Sequence, residues 1–131
     1  MKKNVFILFA LMLFGIGFSA QAQYSDFSAV NNGKTIYYKI TSSTTPYAVS
    51  VFLGDYSGAY TIPSNVTDNG INYTVTSIDD TAFIMGNLTS IILPNTIDSI
   101  GFAAFISCTS LTSITIPYSV KKNWKPCFLW L

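Results

Sequence analysis

The chain has 131 residues, and its charged groups are seven lysines and six aspartates, with no Glu, Arg or His. This length allows at most one small domain, and the lack of arginine and of a basic patch argues against nucleic-acid binding. Without histidine there is no general base for a serine or cysteine nucleophile. The sequence also contains no recognisable metal-ligand set or phosphate-binding glycine loop. We therefore predict a protein without catalytic, metal or cofactor-binding residues.

The first 22 residues predict an export signal. Met1–Asn4 contains two lysines, Val5–Phe18 consists of apolar residues and glycine, and Ala20-Gln21-Ala22 supplies small residues at a cleavage point. This order is typical of a secretory signal peptide cleaved after Ala22. The apolar run of 14 residues is shorter than the ~20 needed to cross a bilayer, which argues against a membrane span. We predict a secreted or cell-surface protein with a mature chain of 109 residues and a net charge of −1.

Residues 23–60 predict a β-rich cap in front of a repeat region. Phe27–Val30 and Thr35–Ile40 are β-prone runs that flank Asn31-Asn32-Gly33, and an Asn-Gly pair between such runs is typical of a hairpin. Thr41–Pro46 predicts a polar turn, and Tyr47–Leu53 predicts a third strand. We expect these strands to cover the first repeat, because a solenoid needs capping units at its ends.

A 23-residue repeat organises residues 61–120. Its matching pairs are Leu88 and Leu111, Ser90 and Ser113, Ile91 and Ile114, Leu93 and Ile116, and Pro94 and Pro117. An earlier copy begins near Ile62-Pro63 and contains nine extra residues around Asp68-Asn69-Gly70. This insertion predicts an added hairpin rather than a calcium loop, since the other calcium ligands are missing. A fixed period of this length predicts a solenoid.

Each repeat predicts a short strand that ends at a proline. In Ser90–Leu93 and Ser113–Ile116, alternate side chains face opposite sides of the sheet. The inward residues are Ile91, Leu93, Ile114 and Ile116, and the outward residues are Ser90, Ile92, Ser113 and Thr115. We expect Gly101 to allow a backbone turn closed to other residues. Phe102–Ser107 predicts a short helical or 3₁₀ turn that places Ala104 and Phe105 in the core.

The repeat resembles the BspA-like leucine-rich repeats, or TpLRR, of bacterial surface proteins. Leu88–Cys108 fills nearly every position of the frame L-x-x-I-x-(I/L)-P-x-x-(I/V)-x-x-I-G-x-x-A-F-x-x-C. The resemblance implies a β-rich α/β solenoid, a right-handed leucine-rich-repeat superhelix of about 2.5 repeats preceded by a small β-hairpin cap. It also implies adhesion to a protein or extracellular matrix ligand. The candidate binding face is the outward set Ser90, Ile92, Ser113 and Thr115.

Residues 121–131 diverge from the repeat frame. Asn123 stands where the frame has Ile, Trp124 stands where it has Gly, and of the later positions only Phe128 fits. We expect an uncapped end that exposes apolar surface and favours self-association. The segment is either a functional tail that engages a membrane or a partner, or the end of a truncated array. In the second case the chain is a remnant without its own function. A secreted hydrolase is a further alternative, which would need two acids across a cleft.

The two cysteines, Cys108 and Cys127, allow two interpretations. An exported chain could join them in a disulfide. However, Cys108 occupies a repeat position where the resemblance implies a small buried residue, and free cysteine behaves as a small hydrophobe. We favour the second interpretation.

Overall fold

The computed structural model describes residues 25–123. The predicted signal peptide with its cleavage point at Ala22 lies outside the described residues, as do Cys127 and residues 124–131 of the predicted self-associating tail. The strands are β1 Phe27–Asn31, β2 Lys34–Ser42, β3 Ala48–Val51, β4 Ser57–Thr61, β5 Asn65–Asp68, β6 Ile71–Ile78, β7 Asn87–Ile92, β8 Ser99–Ile100, β9 Ser113–Thr115 and β10 Lys122–Asn123. Between residues 25 and 123 there is no helix, and hence none long and apolar enough to cross a membrane.

The strands form two sheets. The small sheet consists of β4, β7 and β9, which are all parallel, and the large sheet has the order β1-β2-β3-β6-β8-β10, with β5 also paired to β6. Each repeat contributes one strand to the small sheet and a second strand to the large one. This second strand is β6 in the first repeat, and it is the two-residue strand β8 or β10 in the later repeats. The small sheet places Ile91 opposite Ile114, which confirms the predicted 23-residue register. The sequence analysis did not predict the short strands β8 and β10, whereas β6 belongs to the predicted hairpin of the insertion.

Both predicted hairpins are confirmed. β1 pairs antiparallel with β2, and β5 pairs antiparallel with β6. The connecting residues have positive φ angles, 49° and 74° at Asn32 and Gly33, and 48° and 81° at Asn69 and Gly70. A two-residue turn that matches the twist of its strands needs positive φ at both positions, and Asn-Gly adopts this conformation at low cost.

The N-terminal strands continue the large sheet of the repeats. β3 pairs in parallel with β6, so β1 and β2 extend that sheet beyond the first repeat. The first hairpin also reaches the free edge of β4 in the small sheet. The Nδ2 of Asn31 donates to the carbonyl of Thr61 at 2.8 Å, and the Nζ of Lys34 donates to the carbonyl of Ser57 at 3.0 Å. These contacts cover backbone acceptors that an edge strand would otherwise expose.

Turns, rather than the predicted helical or 3₁₀ segment, occupy residues 102–107. The N–H groups of Thr81, Phe83 and Met85 donate to the carbonyls of the next repeat at 2.9, 2.8 and 3.0 Å, and the acceptors are Phe102, Ala104 and Ile106. A helix directs its hydrogen bonds along its own axis, so it could not make these bonds between neighbouring repeats. We call these two stacked segments, residues 79–86 and 101–108, the turn layer.

Gly101 is required for space and not for an unusual φ angle. Its φ lies outside the left-handed region, whereas a Cβ at this position would lie 2.5 Å from the backbone nitrogen of Asp80. The turn layer takes its positive φ angles instead at Thr81, Met85, Ala103 and Ser107, with values between 53° and 60°. The expectation that Gly101 adopts a backbone conformation closed to other residues is therefore wrong. Glycine is needed there because the neighbouring repeat approaches closely and excludes larger residues.

The core lies between the two sheets and the turn layer. Ile91 and Leu93 are buried and Ile92 is exposed, as the strand alternation predicted. Ile114 and Ile116 are only partly buried and pack on the edge of this core. The rings of Phe83 and Phe105 stack with centroids 5.0 Å apart and an angle of 8° between their planes, so the repeats are joined by side chains as well as by backbone hydrogen bonds.

Candidate binding surface

The small sheet presents two rows of outward side chains. One row consists of Ala59, Ser90 and Ser113, and the other of Thr61, Ile92 and Thr115, each residue paired in register with its neighbour. The structure therefore brings the four predicted face residues together on adjacent strands. The intervening row of Tyr60, Ile91 and Ile114 points into the core, because side chains alternate along a strand.

Ile92 is the most apolar group on this surface. Its side chain is 63% exposed, and its register partners on either side are the exposed Thr61 and Thr115. Ser113 is exposed as well, whereas Ser90 is partly buried. The two rows contain hydroxyl groups, a methyl group and one aliphatic side chain, but no charge. Such a surface can contact another molecule through apolar packing and hydroxyl hydrogen bonds, and it has no group suited to proton transfer at neutral pH.

Ala59 and Thr61 belong to the same surface, although the sequence analysis did not select them. The match of Ile62-Pro63 to Leu93-Pro94 already places Thr61 at the position of Ile92. The match for Ala59 is less apparent, because the register between β4 and β7 shifts between Gly58 and Ala59.

The edges of the small sheet differ in their surroundings. At β4, the first hairpin supplies the Asn31 and Lys34 hydrogen bonds described above, and the Lys34 ammonium lies 5.4 Å from the centre of the Tyr60 ring. At β9, no strand within residues 25–123 pairs on the side away from β7. Three strands span only ~10 Å from first to last, which limits the area that a partner can bury here.

The buried thiol of Cys108 is not suited to chemistry at this surface. Cys108 is a free thiol and is fully buried. Its Sγ donates a hydrogen bond to the carbonyl of Phe83 at 2.8 Å. Burial raises the pKa of the Cys108 thiol, so the reactive thiolate is disfavoured. These observations support its interpretation as a small core residue. Within residues 25–123, no three His, Cys, Asp or Glu residues are grouped so that they could hold a metal ion.

Solved structures of three bacterial leucine-rich-repeat proteins are similar to this chain. A leucine-rich cell surface protein from Faecalibacterium prausnitzii A2-165 has a TM-score of 0.59 and 27% identity, and the match covers 81% of this chain and 28% of that one. A leucine-rich-repeat protein from Bacteroides ovatus has a TM-score of 0.59 and 32% identity, over 73% and 24% of the two chains. The T. pallidum leucine-rich-repeat protein TpLRR has a TM-score of 0.53 and 25% identity, over 67% and 39%.

This chain spans only about a quarter of the length of the first two of these proteins. Their similarity supports a leucine-rich-repeat type of fold, here built from strands and turns. The curated proteins contain no match. The family model described as "BspA type Leucine rich repeat region (6 copies)" matches residues 56–130. Since that match covers more than half of the chain, the protein belongs to the BspA-type leucine-rich-repeat family.

Proposed function

We propose that this protein is an exported, non-catalytic protein of the cell surface that binds a protein or extracellular matrix ligand through the outward rows of the small sheet. The family and the description of the F. prausnitzii relative as a cell surface protein support the location and the general role. The observation that carries the proposal is the exposed Ile92 between two threonines on adjacent parallel strands.

The parallel strands give this surface a defined arrangement before any ligand binds. Backbone pairing in register holds Thr61, Ile92 and Thr115 side by side, so little ordering of the protein is needed on binding. Ile92 would lose water on contact, and the neighbouring hydroxyls could donate to or accept from a partner's backbone. The surface is much smaller than the ~800 Å² per partner of a stable interface. We therefore expect weak binding by this segment alone.

The test measures binding of the mature chain, residues 23–131, to immobilised fibronectin, laminin and type I collagen by surface plasmon resonance. Ile92→Lys should weaken binding to whichever of these proteins is recognised by at least about tenfold, which corresponds to about 1.4 kcal/mol. Val30→Lys is the matched control, since Val30 is a β-branched strand residue that is 71% exposed but lies in β1, outside the small sheet.

Val30→Lys should change the affinity by less than about twofold, an effect of less than ~0.4 kcal/mol. If both substitutions weaken binding equally, the contact is not located on the small sheet. If the unaltered chain binds none of the three proteins, the proposed matrix ligand is wrong.

A further inference from the structure

The outer face of the large sheet contains a second arrangement of polar groups. Pairing in register places Lys39, Ser50, Ser77 and Ser99 side by side on β2, β3, β6 and β8. Neighbouring strands lie ~4.8 Å apart, so the three serines form a row about 10 Å long. The residues before and after Ser50, Val49 and Val51, are fully buried in the core. The serine row therefore lies on the opposite face of the sheet.

This row forms part of a depression with a volume of about 300 Å³. Its polar lining residues are Lys39, Thr41, Ser50, Ser77, Asp79 and Ser99. Gly101 also lines it and adds no side chain. The volume lies at the lower end of the range of ~300–1,000 Å³ for small-molecule clefts, which suits a ligand of one ring better than an extended chain.

Ser50 differs from the other polar groups in this depression. It is only 3% exposed, and its Oγ has no hydrogen-bond partner among the described residues. Buried hydroxyl groups are normally hydrogen-bonded, because an unpaired one loses its interaction with water without compensation. An unpaired hydroxyl that lines a polar depression is therefore a feature that a bound ligand would explain.

The charges of the depression favour a neutral ligand. Among its lining residues there is one ammonium group, on Lys39, and one carboxylate, on Asp79. The Lys39 ammonium lies 5.5 Å from the centre of the Phe52 ring, and a carboxylate oxygen of Asp79 accepts the N–H of Asp80 at 3.0 Å. An anion would be attracted by Lys39 but repelled by Asp79. A compound with several hydroxyl groups can both donate to and accept from the serines, Thr41 and the two charged groups.

We propose that the depression around Ser50, Ser77 and Ser99 binds a single neutral sugar ring, such as a hexose or an N-acetylhexosamine. The site lies on the large sheet and is independent of the protein-binding surface proposed for the small sheet. Either proposal can therefore fail while the other stands.

The experiment records ¹⁵N-HSQC spectra of the mature chain during titration with glucose, galactose, mannose and N-acetylglucosamine. At least one sugar should shift the amide signals of Ser50, Ser77 and Ser99 in a saturable manner. Ser50→Ala should weaken that binding at least fivefold, and Lys39→Met should also weaken it. The matched control is Ser28→Ala, an exposed serine of β1 in the same sheet, which should leave the binding unchanged.

Stability measurements on the same variants show whether any loss of binding is a loss of fold. Ser50→Ala removes a hydroxyl without a partner, so its melting temperature should be equal to or up to about 4 °C above that of the unaltered chain. The proposal is overturned if none of the four sugars shifts these signals, or if the shifts survive Ser50→Ala. It is also overturned if inorganic phosphate shifts the same signals at the concentrations where the sugars do, since this would indicate an anion site.

Discussion

Two buried tyrosines, Tyr38 and Tyr56, differ in what their hydroxyl groups contact. The Tyr56 hydroxyl donates to the carbonyl of Phe52 at 2.7 Å and accepts the N–H of Tyr37 at 3.2 Å. The Tyr38 hydroxyl has no partner among the described residues. Burial raises the pKa of both phenols, so both remain protonated at neutral pH. The ring of each residue packs in the core, but only Tyr56 connects two backbone segments through its hydroxyl.

Removing these two hydroxyl groups should therefore have different effects. We expect Tyr56→Phe to lower the free energy of unfolding by about 1–3 kcal/mol, because two partly buried backbone groups lose their partner. Tyr38→Phe should leave it unchanged or raise it slightly. Urea denaturation followed by circular dichroism measures both values. If the two variants lose equal free energy of unfolding, the Tyr38 hydroxyl also forms a stabilising hydrogen bond, and the expected difference is wrong.

At the level of the element, the turn layer joins one repeat to the next. Its backbone hydrogen bonds run between residues 79–86 and 101–108, and the rings of Phe83 and Phe105 from these two segments stack on each other. Gly101 permits the close approach of the two segments, since any larger residue would meet the backbone of Asp80. The packing of Phe105 thus depends on the neighbouring repeat as much as on its own.

Truncation of Phe105 should destabilise the whole array. We expect Phe105→Ala to lower the free energy of unfolding by about 3–5 kcal/mol, through lost burial and the cavity left against Phe83. For a domain of marginal stability, this loss is a large fraction of the total. Thermal unfolding measures the change, and Phe102→Ala is the control, since Phe102 is 51% exposed in the same turn. An unchanged melting curve for Phe105→Ala would show that the repeats are not coupled through this ring.

At the scale of the whole molecule, the N-terminal strands and the repeats share one sheet. The parallel pairing of β3 with β6 joins them, and the first hairpin contacts the edge of the small sheet. The division into residues 23–60, 61–120 and 121–131 stays a prediction. Lys122 and Asn123 pair in parallel with β8, and Asn123 lies opposite Ile100. The start of the predicted tail therefore keeps the repeat register.

The proposed export leads to a prediction about the mature chain. Cleavage after Ala22 should give a protein that begins at Gln23, because the residues before it have the order of a secretory signal. All described strands would remain, since β1 begins at Phe27. N-terminal sequencing of protein collected from the culture medium or the cell surface checks this. A chain that retains Met1 would contradict the proposed cleavage.

Much of the repeat region could be predicted from the sequence. Ile91 and Leu93 recur as Ile114 and Ile116, and a proline follows each of the two pairs. This recurrence predicted the strands and the direction of their side chains. The Asn-Gly pairs determined both hairpin turns, because few other residues adopt positive φ at low cost. The outward position of Ile92 followed from the same alternation. These features depend on interactions within a few residues, and local sequence patterns report them directly.

Only the tertiary structure decided how distant segments pair. The two-residue strand β8 is too short to show a periodicity, and it forms only because β6 and β10 lie on either side of it. Residues 102–107 form turns and not a helix, because their carbonyl groups accept hydrogen bonds from the preceding repeat. The serine row combines β3, β6 and β8, which are separated by long connections. Such parallel pairing is non-local, so its register depends on the packing of the whole core and cannot be read from any one segment.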